Sequence, residues 1–295
     1  MSGFARILRK IAEDRVALIG LVLIVLLVLV ALFAPLLATH PEDVWEIHPE
    51  LRLLPPSAEH LFGTDRMGGD IYSRILFGAR LTIVIGVVAV GASLLIGVPI
   101  GLLAAFYANW FGDLLMRISD VFLAVPQVIL AIAIAQTLGP SLPNVILALS
   151  LTYWPWFTRL VYAETKRLQN EVFIEATEAL GASPWRLIVL HILPNISSAI
   201  IVRISLGMGF TILTAAALGF LGLGAQPPVP EWGRMVAESR EFLPMAWWYA
   251  LAPGLAIFLV VMGFNLLGDG LRDVLDPRLR KSPGRRAAAA VRRGS

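Results

Sequence analysis

Cysteine is absent from this chain, which excludes disulfides and thiolate metal centres. Charge is scarce as well. Asp, Glu, Lys and Arg make up 15% of the residues, where an ordinary soluble domain carries about a quarter. The shortage is concentrated in five stretches without any charge: Val16 to Pro41, Leu81 to Gly112, Val121 to Thr158, Ile204 to Pro230 and Phe242 to Gly268. Catalytic and nucleotide motifs are missing too. There is no H-E-x-x-H, no G-x-S-x-G and no pair of intramembrane aspartates, which removes the common hydrolase readings. There is also no G-x-x-x-x-G-K-S/T, so no loop of this chain cradles a phosphate.

What is present is membrane-spanning sequence. A bilayer core about 30 Å thick needs roughly 20 apolar residues of helix. Each uncharged stretch meets that length, and the third is too long for one span. It carries Gly139-Pro140-Ser141-Leu142-Pro143-Asn144 in its middle, which reads as a tight turn. The expectation is an all-α integral membrane protein with six transmembrane helices, at 16–38, 81–106, 114–138, 144–162, 197–222 and 246–268. The first span exceeds the usual signal-peptide core of about 7–15 residues and no A-x-A site follows it, so it reads as a retained anchor.

Basic residues set the orientation. The N-terminal tail holds Arg6, Arg9, Lys10 and Arg15, the loop after the fourth span holds Lys166, Arg167 and Arg186, and the C-terminal tail is rich in arginine. The opposite loops balance their arginines with acids such as Glu42, Asp43, Glu46, Glu231 and Glu241. Both termini are therefore expected in the cytoplasm. The chain divides into residues 1–80 (tail, first span and external segment), 81–271 (a five-helix core) and 272–295 (a basic tail against anionic lipid). The net charge of +3 does not indicate nucleic acid, because the basic residues flank spans with no aromatic-basic patch beside them.

Polar groups inside the spans are few. Gln127, Gln136 and Asn265 lie deep and do not ionise, while Asp120 and Asp269 lie near span ends. A secondary transporter or channel without ATPase partners is the alternative class. It is disfavoured because an ion-coupled pump uses carboxylates near the midplane. Arg203, one to two turns into the fifth span, reads as snorkelling to the interface, with a pathway-facing role as the second reading. All four histidines, His40, His48, His60 and His191, fall outside the spans. His40 with Glu42 and Asp43 offers metal-ligand types at the outer surface, but exposed loop residues are the simpler account. Small residues recur every fourth position at Ala89, Ser93, Gly97, Gly101 and Ala105, and at Gly207, Thr211, Ala215 and Gly219. They fit helix packing within the chain, or a seam against a second permease chain or along a pathway.

The inside loop at 163–196 is the distinctive segment. Phe173, Ala176 and Leu180 share one helical face, and Glu171, Glu175 and Glu178 another. Gly181 is placed to end that helix, Ser183 to cap a second one with Pro184 at its first position, and Pro194 to stop it. Two short helices meeting at a glycine form a knob outside the membrane.

That loop resembles the EAA loop of binding-protein-dependent ABC importer permeases: E-A-A, three residues, G, nine residues, I-x-L-P. Glu175, Ala176, Gly181, Leu193 and Pro194 match, Thr177 replaces the third alanine, and His191 stands at the isoleucine position. Further segments are similar to the C-type permease subunit of the dipeptide/oligopeptide/nickel branch: Gly63-Thr64-Asp65, Ser73-Arg74, Gly78-Ala79-Arg80, the run Leu218 to Gly224, Gln226-Pro227-Pro228, Glu231-Trp232-Gly233, and Asn265 to Arg278. Gly69 departs from the arginine usual there. The resemblance implies the ABC importer permease fold with 163–196 as cytoplasmic ATPase-coupling loop. It implies a permease subunit, not an enzyme, for peptides or a related small solute such as a nickel chelate. It further implies a homologous permease subunit as partner, two cytoplasmic ATPase subunits holding ATP and Mg, and an external substrate-binding protein. The location implied is the bacterial or archaeal cell membrane. No cofactor is expected in this chain.

Overall fold

The computed structural model describes residues 11–107 and 109–275. The expectations on the first ten residues and on the basic tail beyond Leu275 lie outside the described residues. The described chain is helical. Its elements are α1 (Arg15–Leu37), α2 (Ile71–Phe106), α3 (Trp110–Ala124), α4 (Gln127–Leu138), α5 (Leu142–Gln169), α6 (Val172–Ala179), α7 (Pro184–Phe220), α8 (Trp232–Ser239) and α9 (Trp247–Leu275). Among the described residues no strand forms, and one isolated bridge pairs Thr64 with Asp70.

Four helices, α1, α2, α7 and α9, are each long and apolar enough to cross a membrane, and a bent pair, α3 with α4, makes a fifth candidate. The expected span 114–138 is not one straight helix: α3 and α4 meet at 88° across Val125 and Pro126. Proline has no N–H for the helix ladder and disfavours helical backbone in the residue before it, so the chain turns there. Helix α5 is 28 residues long but less apolar. It lies inside the bundle, against α2, α3, α4 and α7. A helix surrounded by helices can carry Ser150, Thr152, Tyr153 and Thr158, all buried, without presenting them to lipid. Helix α2 begins ten residues before the expected 81, because Asp70 caps it by accepting from the Ser73 amide at 2.8 Å. The Gly139 turn is as expected. Gly139 has φ +88°, and the Asn144 side chain donates to the Leu138 and Gly139 carbonyls at 2.8 and 2.9 Å.

Close backbone approach holds these helices together. A Cβ added to Gly97 would lie 2.4 Å from the Trp154 carbonyl oxygen, and one on Gly101 would lie 2.7 Å from that of Thr158. Between them Ser93 Oγ donates to the Ser150 carbonyl at 3.0 Å, and Thr158 Oγ1 to the Gly97 carbonyl at 3.1 Å. The first small-residue stripe is thus consumed within the chain, between α2 and α5. The second is also used internally. Gly207 lies under the Tyr153 ring and Gly219 against the Glu231 carboxylate. The seam between α1 and α9 follows the same rule, with Gly20 against Leu267 and Gly270 against Ala17.

The chain between α1 and α2, with the chain around α8, caps one end of the bundle with a buried polar network. Asp65 and Arg74 pair at 3.1 Å, both nearly inaccessible, and Arg74 also donates to the Pro228 carbonyl at 3.1 Å. Glu238 accepts from Arg66 at 2.9 Å, from Arg234 at 3.0 Å and from the Tyr249 hydroxyl at 2.9 Å. Trp232 Nε1 donates to the Ile75 carbonyl at 3.1 Å and lies over Gly78. Burial raises the Asp65 carboxyl above its ordinary range, against the pull of Arg74 and of the Met67 and Gly69 amides. Glu231 caps α8 through the Gly233 and Arg234 amides at 2.8 and 2.9 Å, yet burial still pushes its carboxyl up to about 7.

Two outcomes are expected. Gly97→Val overpacks the α2–α5 seam, which costs on the order of 1–3 kcal/mol or more. Its thermal midpoint should fall by several degrees, while Gly91→Ala, whose added methyl meets nothing within 4 Å, is neutral or stabilising. Thermal unfolding of the purified chain in detergent measures both. For Glu231 the folded state binds the proton more tightly than the unfolded state. Its contribution is therefore fully present below about 4.5 and is lost, on the order of 3 kcal/mol, as pH rises to about 7. Unfolding midpoints measured between pH 4.5 and 8 should be flatter for Glu231→Gln than for the parent chain.

Candidate functional site

At the end of the bundle away from the cap, α5 runs on to Gln169, and the chain then leaves the bundle as a knob. Helix α6 ends in a full glycine cap. Gly181 has φ +83°, its amide bonds the Glu178 carbonyl at 2.8 Å, and the Ala182 amide bonds that of Thr177 at 3.3 Å. A side chain larger than glycine's adopts that backbone only under strain. Ser183 Oγ then accepts from the Arg186 amide at 3.4 Å, with Pro184 in the first turn of α7. These features agree with the local sequence signals.

Pro194 does not stop a helix, contrary to expectation. Helix α7 continues through it to Phe220, and the turn ahead of it, Leu187–Ile192, is widened to π-helix. The Leu193 amide reaches the Ile188 carbonyl, five residues back. A widened turn makes room for a ring that lacks an N–H and would otherwise strike the preceding turn. The Asn195 side chain donates to the His191 carbonyl at 2.6 Å, adding a bond where the ladder is disturbed.

The knob is anchored by one residue. Ile174 is buried and belongs to the same apolar cluster as Leu168, Ile188 and Ile192. The face carrying Phe173, Ala176 and Leu180 points outward instead. Leu180 is 89% exposed and Trp185, just past the glycine, 73%. Glu175 is exposed as well. Of the five site residues expected from sequence, Glu175, Ala176 and Gly181 lie on the knob. Leu193 and Pro194 lie on its stem, where α7 turns into the bundle.

Beside the stem lies a feature that sequence reasoning missed, an open cavity of about 760 Å³ between α5, α7 and α9. Glu164, Arg167, Asn195, Arg203 and Arg272 line it. Arg167 pairs with Glu164 at 2.9 Å and with Glu171 at 3.8 Å, and that three- and four-residue charge spacing was the one signal of it in the sequence. The Arg203 guanidinium sits over the Trp156 ring at 4.6 Å and the Tyr153 ring at 5.6 Å. Trp156 Nε1 in turn donates to Gln127 Oε1 at 3.0 Å, and Arg159 bonds Asp120. Arg203, Trp156 and Gln127 thus form one chain of contacts that begins at the cavity, and Arg159 with Asp120 is a separate pair.

Residues 97–281 match the family of binding-protein-dependent transport system inner membrane components, and residues 2–56 match the N-terminal TM domain of oligopeptide transport permease C. The chain is 47% identical to the dipeptide transport system permease protein DppC of Alkalihalophilus pseudofirmus over 95% of this chain and 91% of that one. It is 44% identical to the di/tripeptide transport system permease protein DppC of Pseudomonas aeruginosa, over 93% and 92%. It is 42% identical to the glutathione transport system permease protein GsiD of Pectobacterium atrosepticum, over 92% and 90%. Among solved structures, an inward-facing conformation of the MetNI methionine ABC transporter superposes with a TM-score of 0.58 at 19% identity, over 70% of this chain and 98% of that one. That likeness is one of fold.

The exposed knob residues make a direct test of burial. Leu180→Ser is expected to leave the thermal midpoint of the isolated chain within about 2 °C, since exposed substitutions usually change stability by under about 0.5 kcal/mol. Differential scanning fluorimetry in detergent checks it.

Proposed function

The chain belongs to the family of binding-protein-dependent transport system inner membrane components and is a membrane transport component, not an enzyme; from that premise we propose that it is the C-type permease subunit of an ATP-driven importer of di- or oligopeptides. In this reading α1, α2, the bent pair α3–α4, α5, α7 and α9 are six spans, with both termini and the knob in the cytoplasm. A homologous permease subunit completes the channel, and an external binding protein delivers the cargo. Two cytoplasmic ATPases hold the ATP and Mg and dock on the knob. The names of the relatives support peptide cargo. A cavity wall carrying Arg167, Arg203 and Glu164 suits a zwitterion, which has both an ammonium and a carboxylate to place.

The observation that carries the coupling role is the apolar face of the knob, turned away from its own bundle and exposed on Phe173, Leu180 and Trp185. Such a face fits an apolar groove on a partner. The knob is also built to transmit motion. It is fastened by Ile174 to α5 and to the π-turn of α7, two helices that line the cavity. ATP-driven closure of the ATPase pair would move the knob, and α5 and α7 would move with it.

Gly181→Val is expected to uncouple transport while leaving the spans inserted, because valine resists the positive φ that sets the angle between α6 and α7. Glu175→Lys should act in the same direction, more weakly. In the whole complex, binding-protein-stimulated ATPase activity and uptake should both fall by at least about tenfold for Gly181→Val, equivalent to about 1.4 kcal/mol of coupling. Normal uptake by that complex would overturn the docking role.

A further inference from the structure

We propose that His40, His60 and Asp70, at the cap end, form a binding site for a divalent transition-metal ion, with Zn²⁺ the ion that suits the donor set best. One ligand-capable atom of each residue, a nitrogen of both histidines and a carboxylate oxygen of Asp70, lies within 4.8 Å of the others. His60 Nδ1 stands 3.1 Å from Asp70 Oδ1. Ligands about 2.0–2.1 Å from a tetrahedral zinc are about 3.3 Å apart, so this edge already has nearly the length a metal requires. The two imidazoles lie with ring centres 4.8 Å apart, tilted by 37°. A small closure of His40 toward the pair completes three ligands and leaves a fourth position for water.

The surroundings favour a ligand set over a chance meeting of polar loops. Asp70 is inaccessible and His60 is 3% exposed. The second Asp70 oxygen is fixed by the Ser73 amide at 2.8 Å and the Thr39 hydroxyl at 3.2 Å, which aims Oδ1 at the histidines. The backbone of His40 is held by Ser73 Oγ at 3.1 Å, and that of His60 by Ser57 Oγ at 3.0 Å. Outer hydrogen bonds of this kind orient metal ligands in advance. Meanwhile His40 Nδ1 is shielded from solvent and has no hydrogen-bond partner among the described residues, so this ring nitrogen is open to an ion as its ligand. Two imidazoles and one carboxylate favour zinc and its first-row neighbours over calcium or magnesium, which take oxygen ligands.

The site would join three separate pieces of chain: the exit of α1, the loop at His60 and the N-cap of α2. Sequence alone paired His40 with the nearby Glu42 and Asp43. The partners that the fold supplies are 20 and 30 residues away. In the orientation proposed above, the ion would come from outside the cell, but binding itself does not depend on that orientation. The competing account is that His60 simply donates a hydrogen bond to the capping carboxylate.

The test uses the full chain with a non-histidine tag, purified in detergent, stripped with EDTA and titrated with zinc chloride by calorimetry. One zinc per chain is expected, and saturating zinc should raise the thermal midpoint on the order of 5 °C. X-ray absorption of the loaded chain should show two imidazole ligands. His40→Gln is chosen because His40 is only partly buried and does not cap a helix. In EDTA its midpoint should match the parent's within about 2 °C, and its zinc affinity should be at least about tenfold weaker. The nearby group of His48 with Asp43, Glu46 and Glu50 remains intact in that variant, so zinc held there would persist unchanged. No saturable site in the parent chain, undiminished binding by His40→Gln, or absorption without two imidazoles would each overturn the proposal and leave the hydrogen-bond account. If His40→Gln failed to fold, the stoichiometry and absorption signature of the parent would still decide.

Discussion

Between helices in lipid there is little hydrophobic driving force, so backbones must come close enough for packing and hydrogen bonds to hold them. That constraint organises this molecule. Gly97 and Gly101 let α2 lie directly on the carbonyls of α5, and Ser93 and Thr158 add hydrogen bonds across the seam. Gly20 and Gly270 do the same between α1 and α9. Once α2 and α5 are locked together, the cap that begins at the top of α2 and the knob that hangs from the bottom of α5 are placed at opposite ends of one rigid unit.

The two ends use polar chemistry in different ways. At the cap, charges are paired: Asp65 with Arg74, both buried, and Glu238 with the partly exposed Arg66 and Arg234. Breaking one partner of such a pair leaves an uncompensated charge, so the network resists rearrangement. At the knob end the charges line an open cavity, and the apolar groups are the ones left uncovered.

Proline, which lacks the N–H of the helix ladder, acts on two helices in different ways. Pro126 turns one apolar stretch through 88°. Pro194 is accommodated by a widened turn instead, so the stem of the knob and the rest of α7 remain one continuous helix. The same residue type thus breaks one helix and only loosens another. In the second case Asn195 and the π-turn take up the disturbed hydrogen bonding.

The sequence by itself determined the membrane character, the helical class, the Gly139 turn and the Gly181 cap, because uncharged length and turn chemistry are local properties read within a few residues. It also carried the family signature, whose outer segments Gly63-Thr64-Asp65, Ser73-Arg74, Gly78 and Glu231-Trp232-Gly233 were legible only as a pattern. The tertiary structure supplied their physical purpose, a shared buried network in which Trp232 covers Gly78 and Asp65 neutralises Arg74. Only folding decided that α2 starts at Ile71, since Arg74 and Arg80 look too polar for a span until their partners are in place. The cavity around Arg203 and the meeting of His40 with His60 and Asp70 were likewise invisible beforehand. Such contacts join residues tens of positions apart, and no periodicity along the chain records which distant side chains the helices will bring together.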